Sequence, residues 1–331
     1  EIGEWVFAEC TNLASVTLSK NLVNMHRNAF GNCDALTKIQ IPKSLEVGGA
    51  SYYAFEKGVF RDCDGLKEVT FEQGTTRIVE CLFANCLGLE KIEIPNTVTI
   101  IEAYAFLNCG NLKEVTMSNA VTEIGECAFA ECITLTDVIL PKNLINIHRN
   151  AFGNCDALTK IQIPKSLKMG GSTYYGDEKG IFRNCDGLKE VTFEAGRTQL
   201  IECLFANCPG LEKIEIPDTI TTIEDCVFYN CVNLKEVTIP NSVTSIGESA
   251  FQYCSSLKDI IIPDSVTEIG RCAFYACTEL SEITIPDSVT MLGESAFSNC
   301  TKLTKVILSD NITELKNETF LSCVLLSEIE L

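Results

Sequence analysis

The chain has 331 residues, 46% apolar and 21% charged, and its 45 acidic against 26 basic side chains leave a net charge of −19. A field of that sign repels nucleic acid and anionic membranes, and the apolar fraction excludes a disordered tail. No stretch of 18 consecutive apolar residues occurs, so nothing has the length of a membrane-spanning helix.

The first residues, EIGEWVFAEC, already sit inside a pattern, and the last, LLSEIEL, stop inside it. Both ends are expected to be cuts through a repeat, and no basic, apolar leader of the export type opens the chain. Phe-x-x-Cys recurs with Phe at 7, 30, 60, 83, 106, 129, 152, 182, 205, 228, 251, 274, 297 and 320. The spacing is 23 residues except at 30→60 and 152→182, where it is 30. A leucine follows each of these cysteines by three residues, from Leu13 to Leu326.

One unit, LKEVTIPNSVTSIGESAFQYCSS at 234–256, shows what each period encodes. Val237 and Ile239 alternate around Thr238 with strand period, and Pro240, which has no N–H to donate, ends that strand. Val243 and Ile246 turn inward again as a second, very short strand. Ala250, Phe251 and Cys254 have the spacing of a single helical turn. No unit can bury these side chains alone, but stacked units share one core. The expected fold is a solenoid over 1–331 of about fourteen coils, two of them long. It has a parallel β-sheet on the concave face, with short strands and single helical turns elsewhere. The stretch HRNAFGNCDALTKIQIPKSL at 26–45 returns unchanged at 148–167, which marks 1–122 and 123–244 as a tandem five-coil duplication, with further coils over 245–331.

The unit L-x-x-[VI]-x-[IL]-P-x-[ST]-V-T-x-I-G-x-x-A-F-x-x-C resembles the leucine-rich repeat of BspA-like proteins, the Treponema pallidum type. The resemblance covers essentially the whole chain. It implies a cell-surface or secreted, non-enzymatic protein that binds host protein or glycan, extracellular-matrix proteins among them. A structural stalk displaying another domain is the alternative. The family brings no shared catalytic residues, metal or cofactor.

Of nineteen cysteines, fourteen belong to Phe-x-x-Cys and five (Cys81, Cys127, Cys203, Cys226, Cys272) precede their Phe by two residues. An evenly spaced column after a buried Phe suits buried thiols that fill a tight corner. It suits neither a converging zinc site nor an exposed, electropositive catalytic thiolate.

The outward strand column runs Lys38, Glu68, Lys91, Glu114, Asp137, Lys160 and onward, with signs alternating over much of its length. The next outward column is mostly Thr, with Gln, Glu and Ile. The long coils carry EVGGASYYAFEKGVF (46–60) and KMGGSTYYGDEKGIF (168–182). Insertions in repeat arrays emerge as loops and carry binding, so Tyr52, Tyr53, Tyr174 and Tyr175 are the candidate contact residues, about 25 Å apart at ~4.8 Å per coil. Eight Asn residues precede the column cysteine and are expected to satisfy backbone groups at a turn. Tyr229, Tyr253 and Tyr275 fall near one another on late coils, as a patch or, preferably, as variable outward positions. His26 and His148 fall in a column shared with Gly125 and Glu102, which predicts a solvent-facing turn. Open terminal coils are expected to fray or to associate end to end.

Overall fold

The computed structural model describes residues 1–48, 58–169 and 180–330. The chain forms two compact units, Glu1–Ser172 and Thr173–Leu331. Each is a stack of parallel coils with a short strand on each of two walls and a turn wall between them. The four contact residues proposed from the sequence, Tyr52, Tyr53, Tyr174 and Tyr175, lie outside the described residues.

In the first unit one wall pairs Lys38–Ile41 with Glu68–Phe71, and Lys91–Glu93 with Glu114–Thr116, which in turn pairs with Asp137–Val138. The second wall is a five-stranded parallel ladder of Arg77–Ile78, Ile100–Ile101, Glu123–Ile124, Asn146–Ile147 and Lys168–Met169. In the second unit the first wall holds Lys213–Glu215 beside Glu236–Thr238, and Glu282–Thr284, Lys305–Ile307 and Glu328–Glu330 together. Its second wall is another five-stranded ladder, from Gln199–Leu200 to Met291–Leu292. Strands form on both walls in about twelve turns. Register is fixed because Val and Ile point inward at every coil: Ile92, Val115 and Val138 stack in line and are buried. A slip of one residue would expose the whole row.

Proline acts as expected. The carbonyl of Pro240 accepts a hydrogen bond from the N–H of Val243 at 3.1 Å, and Pro95 does the same for Val98 at 3.0 Å. Each proline thus opens a tight turn from the first wall toward the second. The core is a row of stacked phenylalanines. In the first unit neighbouring rings from Phe7 to Phe152 lie 4.9–5.9 Å apart, and in the second, from Phe182 to Phe320, 5.1–6.1 Å apart. Each fully buried Phe contributes about 1.5–3 kcal/mol through the apolar area it removes from water, which only a neighbouring coil can provide.

The turn wall corrects one expectation: it holds no helix among the described residues. Ser249, Phe251 and Tyr253 donate their N–H groups to the carbonyls of Arg271, Ala273 and Tyr275 in the following coil, each at 2.8 Å. The intervening residues bond three residues back within their own coil, Gln252 to Ser249 at 3.2 Å and Cys254 to Phe251 at 3.1 Å. Alternate N–H groups therefore leave the coil, and a helix has none to send away. The backbone manages this with two left-handed residues per turn, one two positions before the Phe and one two positions after it. Among the described residues, all 26 non-glycine residues with positive φ occupy these two columns. Each left-handed L-residue costs about 1–2 kcal/mol, offset by the intercoil hydrogen bonds that the conformation allows.

The two columns account for the eight asparagines. All of them, Asn32 and Asn85 to Asn299, sit two residues after the Phe in the left-handed conformation, which Asn tolerates. Their amides also stack: Asn108 donates to Asn85 at 3.0 Å and Asn230 to Asn207 at 2.7 Å. Asn85 in turn donates to the Asp62 carboxylate at 2.8 Å and Asn299 to the Ser298 hydroxyl at 3.2 Å, so the shared feature is the backbone conformation, which explains the residue type.

Candidate binding surfaces

The first strand wall presents its outward columns to solvent. In the first unit Lys38 faces Glu68 and Lys91 faces Glu114, with Asp137 next. In the second, Lys213 lies 3.8 Å from Glu236, and Lys305 lies 2.6 Å from Glu328 and 2.8 Å from Glu330. Hydrogen bonds to both glutamates hold the Lys305 ammonium above the ordinary lysine range, and the same contact lowers Glu330. These exposed pairs neutralise the wall locally and contribute little stability.

Against that polar wall two residues stand out. Ile139 is 80% exposed and Ile261 is 83% exposed, the two highest values among the large apolar side chains of the described residues. They occupy equivalent positions of the repeat unit, ten residues after Phe129 and Phe251, flanked by buried Val138 and Leu140 in one case and Ile260 and Ile262 in the other. With both chain neighbours turned inward, each isoleucine faces out. Beside Ile139 a groove of about 490 Å³ is lined by Lys113, Glu114, Thr116 and Asp137. Beside Ile261 a groove of about 620 Å³ is lined by Asp259, Asp264, Glu282, Thr284 and Asp287. Residues 259–262 are not in a strand. The sequence carried a signal for this pair, an isoleucine in a threonine column of two coils, but single residues five coils apart did not mark a surface.

The turn wall carries a second aromatic feature. Tyr229, Tyr253 and Tyr275 form an edge-to-face series with centroids 5.6 Å apart at 86° and 83°. They are therefore packed against one another instead of pointing out independently. Consecutive coils place adjacent turn residues within ring contact, since the linear spacing of 24 and 22 residues is close to one repeat.

The histidines are half-buried and paired. His26 Nε2 lies 2.8 Å from Glu1, and His148 Nε2 lies 3.2 Å from Glu123, in each case a carboxylate of the preceding coil. Their column is not the solvent-facing turn expected: a Cβ built on Gly125 would lie 2.4 Å from the Ala103 nitrogen, because the coils close tightly there.

Among the described residues all nineteen cysteines keep their thiols, and no group of three or more His, Cys, Asp or Glu is placed to hold a metal ion. Eleven of the Phe-x-x-Cys thiols donate to the carbonyl of the Phe one coil earlier at 3.0–3.4 Å, as Cys254 does to Phe228. This explains the column better than corner-filling alone: the side chain must be small, apolar and a donor. Burial pushes the Cys132 and Cys231 thiols up to about 12, which leaves them protonated and unreactive at neutral pH.

The chain matches the model of the BspA type leucine-rich repeat region over residues 1–57, 53–179, 177–278 and 244–331. No curated protein matches it. Among solved structures it is similar to a leucine-rich repeat protein from Bacteroides ovatus, with 31% identity over 89% of this chain and 68% of that one and a TM-score of 0.67. It is also similar to a leucine-rich cell surface protein from Faecalibacterium prausnitzii, at 28% identity over 96% and 86% with a TM-score of 0.57. The pneumococcal vaccine antigen PcpA follows at 25% identity over 89% and 66%, with a TM-score of 0.52. The repeated unit, the two-walled parallel stack and a family model that spans it from end to end agree: the chain belongs to the BspA-type leucine-rich repeat family.

Proposed function

We propose that this protein is a non-enzymatic adhesion protein of the cell surface or secreted space that recognises a host protein or glycan. Leucine-rich repeat solenoids are generally binding proteins that engage protein partners, and one similar structure is that of a cell surface protein. The observation that carries the reading is the pair Ile139 and Ile261, each solvent-exposed in a polar, charge-paired strand wall. A large apolar side chain ringed by carboxylates and hydroxyls offers a partner both a hydrophobic anchor and a polar rim. The Tyr-Tyr insertions supply further contact residues in Tyr52, Tyr53, Tyr174 and Tyr175, since tyrosine gives rigid contact area with a polar tip.

The test is saturable binding of the chain to immobilised extracellular-matrix proteins and host-cell monolayers, with the variant carrying Ile139→Lys and Ile261→Lys alongside. Both side chains are already solvated, so stability is expected to stay within about 0.5 kcal/mol, whereas affinity falls at least about tenfold. Unchanged binding would remove the strand wall from consideration. Tyr→Ser in both insertions is measured in parallel, and lost melting temperature with intact binding would assign those tyrosines to packing.

A further inference from the structure

Cysteine appears two residues before the Phe at positions 81, 127, 203, 226 and 272, and only 203 and 226 fall in consecutive coils. Their backbones are held in register, with the Cys203 N–H donating to the Asp225 carbonyl at 3.0 Å and the Cys226 N–H to that of Glu248 at 2.9 Å. Both are left-handed, with φ of 54° and 55°. Neighbouring parallel chains lie about 4.8 Å apart, inside the ~4.4–6.8 Å Cα separation a disulfide bridges. Cys203 is buried and Cys226 is half-buried.

The pair differs from every other thiol in this column. The Cys203 side chain hydrogen-bonds the Cys226 sulfur and draws that thiol below its ordinary value, against burial and the opposing charges of Asp225, Glu202 and Glu248. Cys127 shares the column, the left-handed backbone (φ 51°) and the half-buried exposure. Its counterparts in the adjacent coils are Tyr104 and Asn150, and burial beside Glu126 pushes it up to about 12. Cys323, the other thiol drawn down, belongs to the Phe-x-x-Cys column and has its S–H on the Phe297 carbonyl at 3.1 Å.

We propose that Cys203 and Cys226 are a dithiol modification site that accepts a cationic low-molecular-weight disulfide and closes into a disulfide between two coils. The Cys226 thiolate attacks one sulfur of the reagent, forming a mixed disulfide and expelling one thiolate, which takes up the proton Cys226 lost. The Cys203 sulfur, deprotonated to water, then attacks the Cys226 sulfur, forming the Cys203–Cys226 bond and expelling the second thiolate. Two protein thiols are oxidised and one reagent disulfide is reduced to two thiols. The carboxylates of Glu202, Asp225 and Glu248 outnumber the Arg271 guanidinium that pairs with Glu248 at 3.2 Å, so they attract a cationic reagent and repel an anionic one.

The experiment treats the reduced full chain with cystamine and follows each cysteine by peptide mapping over time. The Cys203–Cys226 disulfide is expected to form about tenfold faster than the cysteamine adduct on Cys127, and faster with cystamine than with anionic glutathione disulfide. Cys203→Ser halts the reaction at the Cys226 adduct, and Cys226→Ser leaves Cys203 as a thiol. Both variants retain the fold, because Ser249 and Ser295 occupy the same column in the same left-handed conformation. The proposal is overturned if Cys226 reacts no faster than Cys127, if the exposed Cys10 is fully modified while Cys203 and Cys226 stay reduced, or if glutathione disulfide matches cystamine.

Discussion

The two cysteine columns of this solenoid use one side chain for opposite ends. Three residues after the Phe, the thiol is chosen by the core: it is buried and gives its proton to a carbonyl one coil away. Two residues before the Phe, the backbone decides, and the left-handed conformation accepts Cys, Ser, Asn, Tyr, Trp or Glu alike. The first column is therefore invariant along the array and, inside the exposed Cys10 and the half-buried Cys323 at its ends, chemically silent. The second varies, and its chemistry depends on which residues happen to be neighbours. A residue type is informative in a repeat protein only together with the constraint acting on its column.

The strongest way to expose this difference is alkali. Thiols such as Cys132 and Cys231, pushed by burial from 9.0 to about 12, favour the protonated form only in the folded chain. Their stabilising contribution is fully present below pH 9 and is lost as pH rises toward 12. Each contributes up to about 1.4 kcal/mol per pH unit in that window, and the whole column acts together. Cooperative unfolding on raising the pH from 8 to 11, followed by circular dichroism, is the expected result. A stability that does not change with pH across this window would contradict burial as the cause.

A smaller effect separates the donor from the volume. Cys254→Ala leaves the Phe228 carbonyl with the Cys231 N–H as its backbone partner, at 3.1 Å, and opens a gap the size of the lost sulfur. A destabilisation of about 1–3 kcal/mol in urea unfolding is expected, with Cys254→Ser recovering part of it. Equal losses for Ala and Ser would show that packing alone matters there.

The smallest effect has the opposite sign. Cys127→Asn places a residue suited to the left-handed region where Asn28 and Asn150 already occupy the same column. It is expected to change stability by no more than about 1 kcal/mol, in the stabilising direction. A loss of the size seen at Cys254 would mean the two columns obey the same rule after all.

The repeat period, the inward rows and the proline turns were legible in the sequence because each is a hydrophobic or steric signal that recurs at fixed spacing. The turn wall was not. Ala250, Phe251 and Cys254 have helical spacing, and what turns that stretch away from a helix is two left-handed residues that are rarely glycine. Ser249 and Tyr253 carry no such marker in a linear text. Contacts between coils were less legible: the tyrosines at 229, 253 and 275 read as near one another but not as a packed edge-to-face series, and the thiols at 203 and 226 become neighbours only after the chain has wound once. Ile139 and Ile261 were visible as letters in a threonine column, but their exposure is a property of the folded wall.

The direction of the intercoil hydrogen bonds has an electrical consequence. On the turn wall, Ser249, Phe251 and Tyr253 all point their N–H groups toward the following coil. On the second strand wall, Thr244 and Gly247 point theirs toward the preceding one, to Thr221 and Ile223. These peptide groups of the two walls thus point in opposite directions along the stack, and their dipoles oppose one another. A long α-helix aligns every dipole and accumulates fractional charge at its ends, whereas each coil added here brings peptides of both directions.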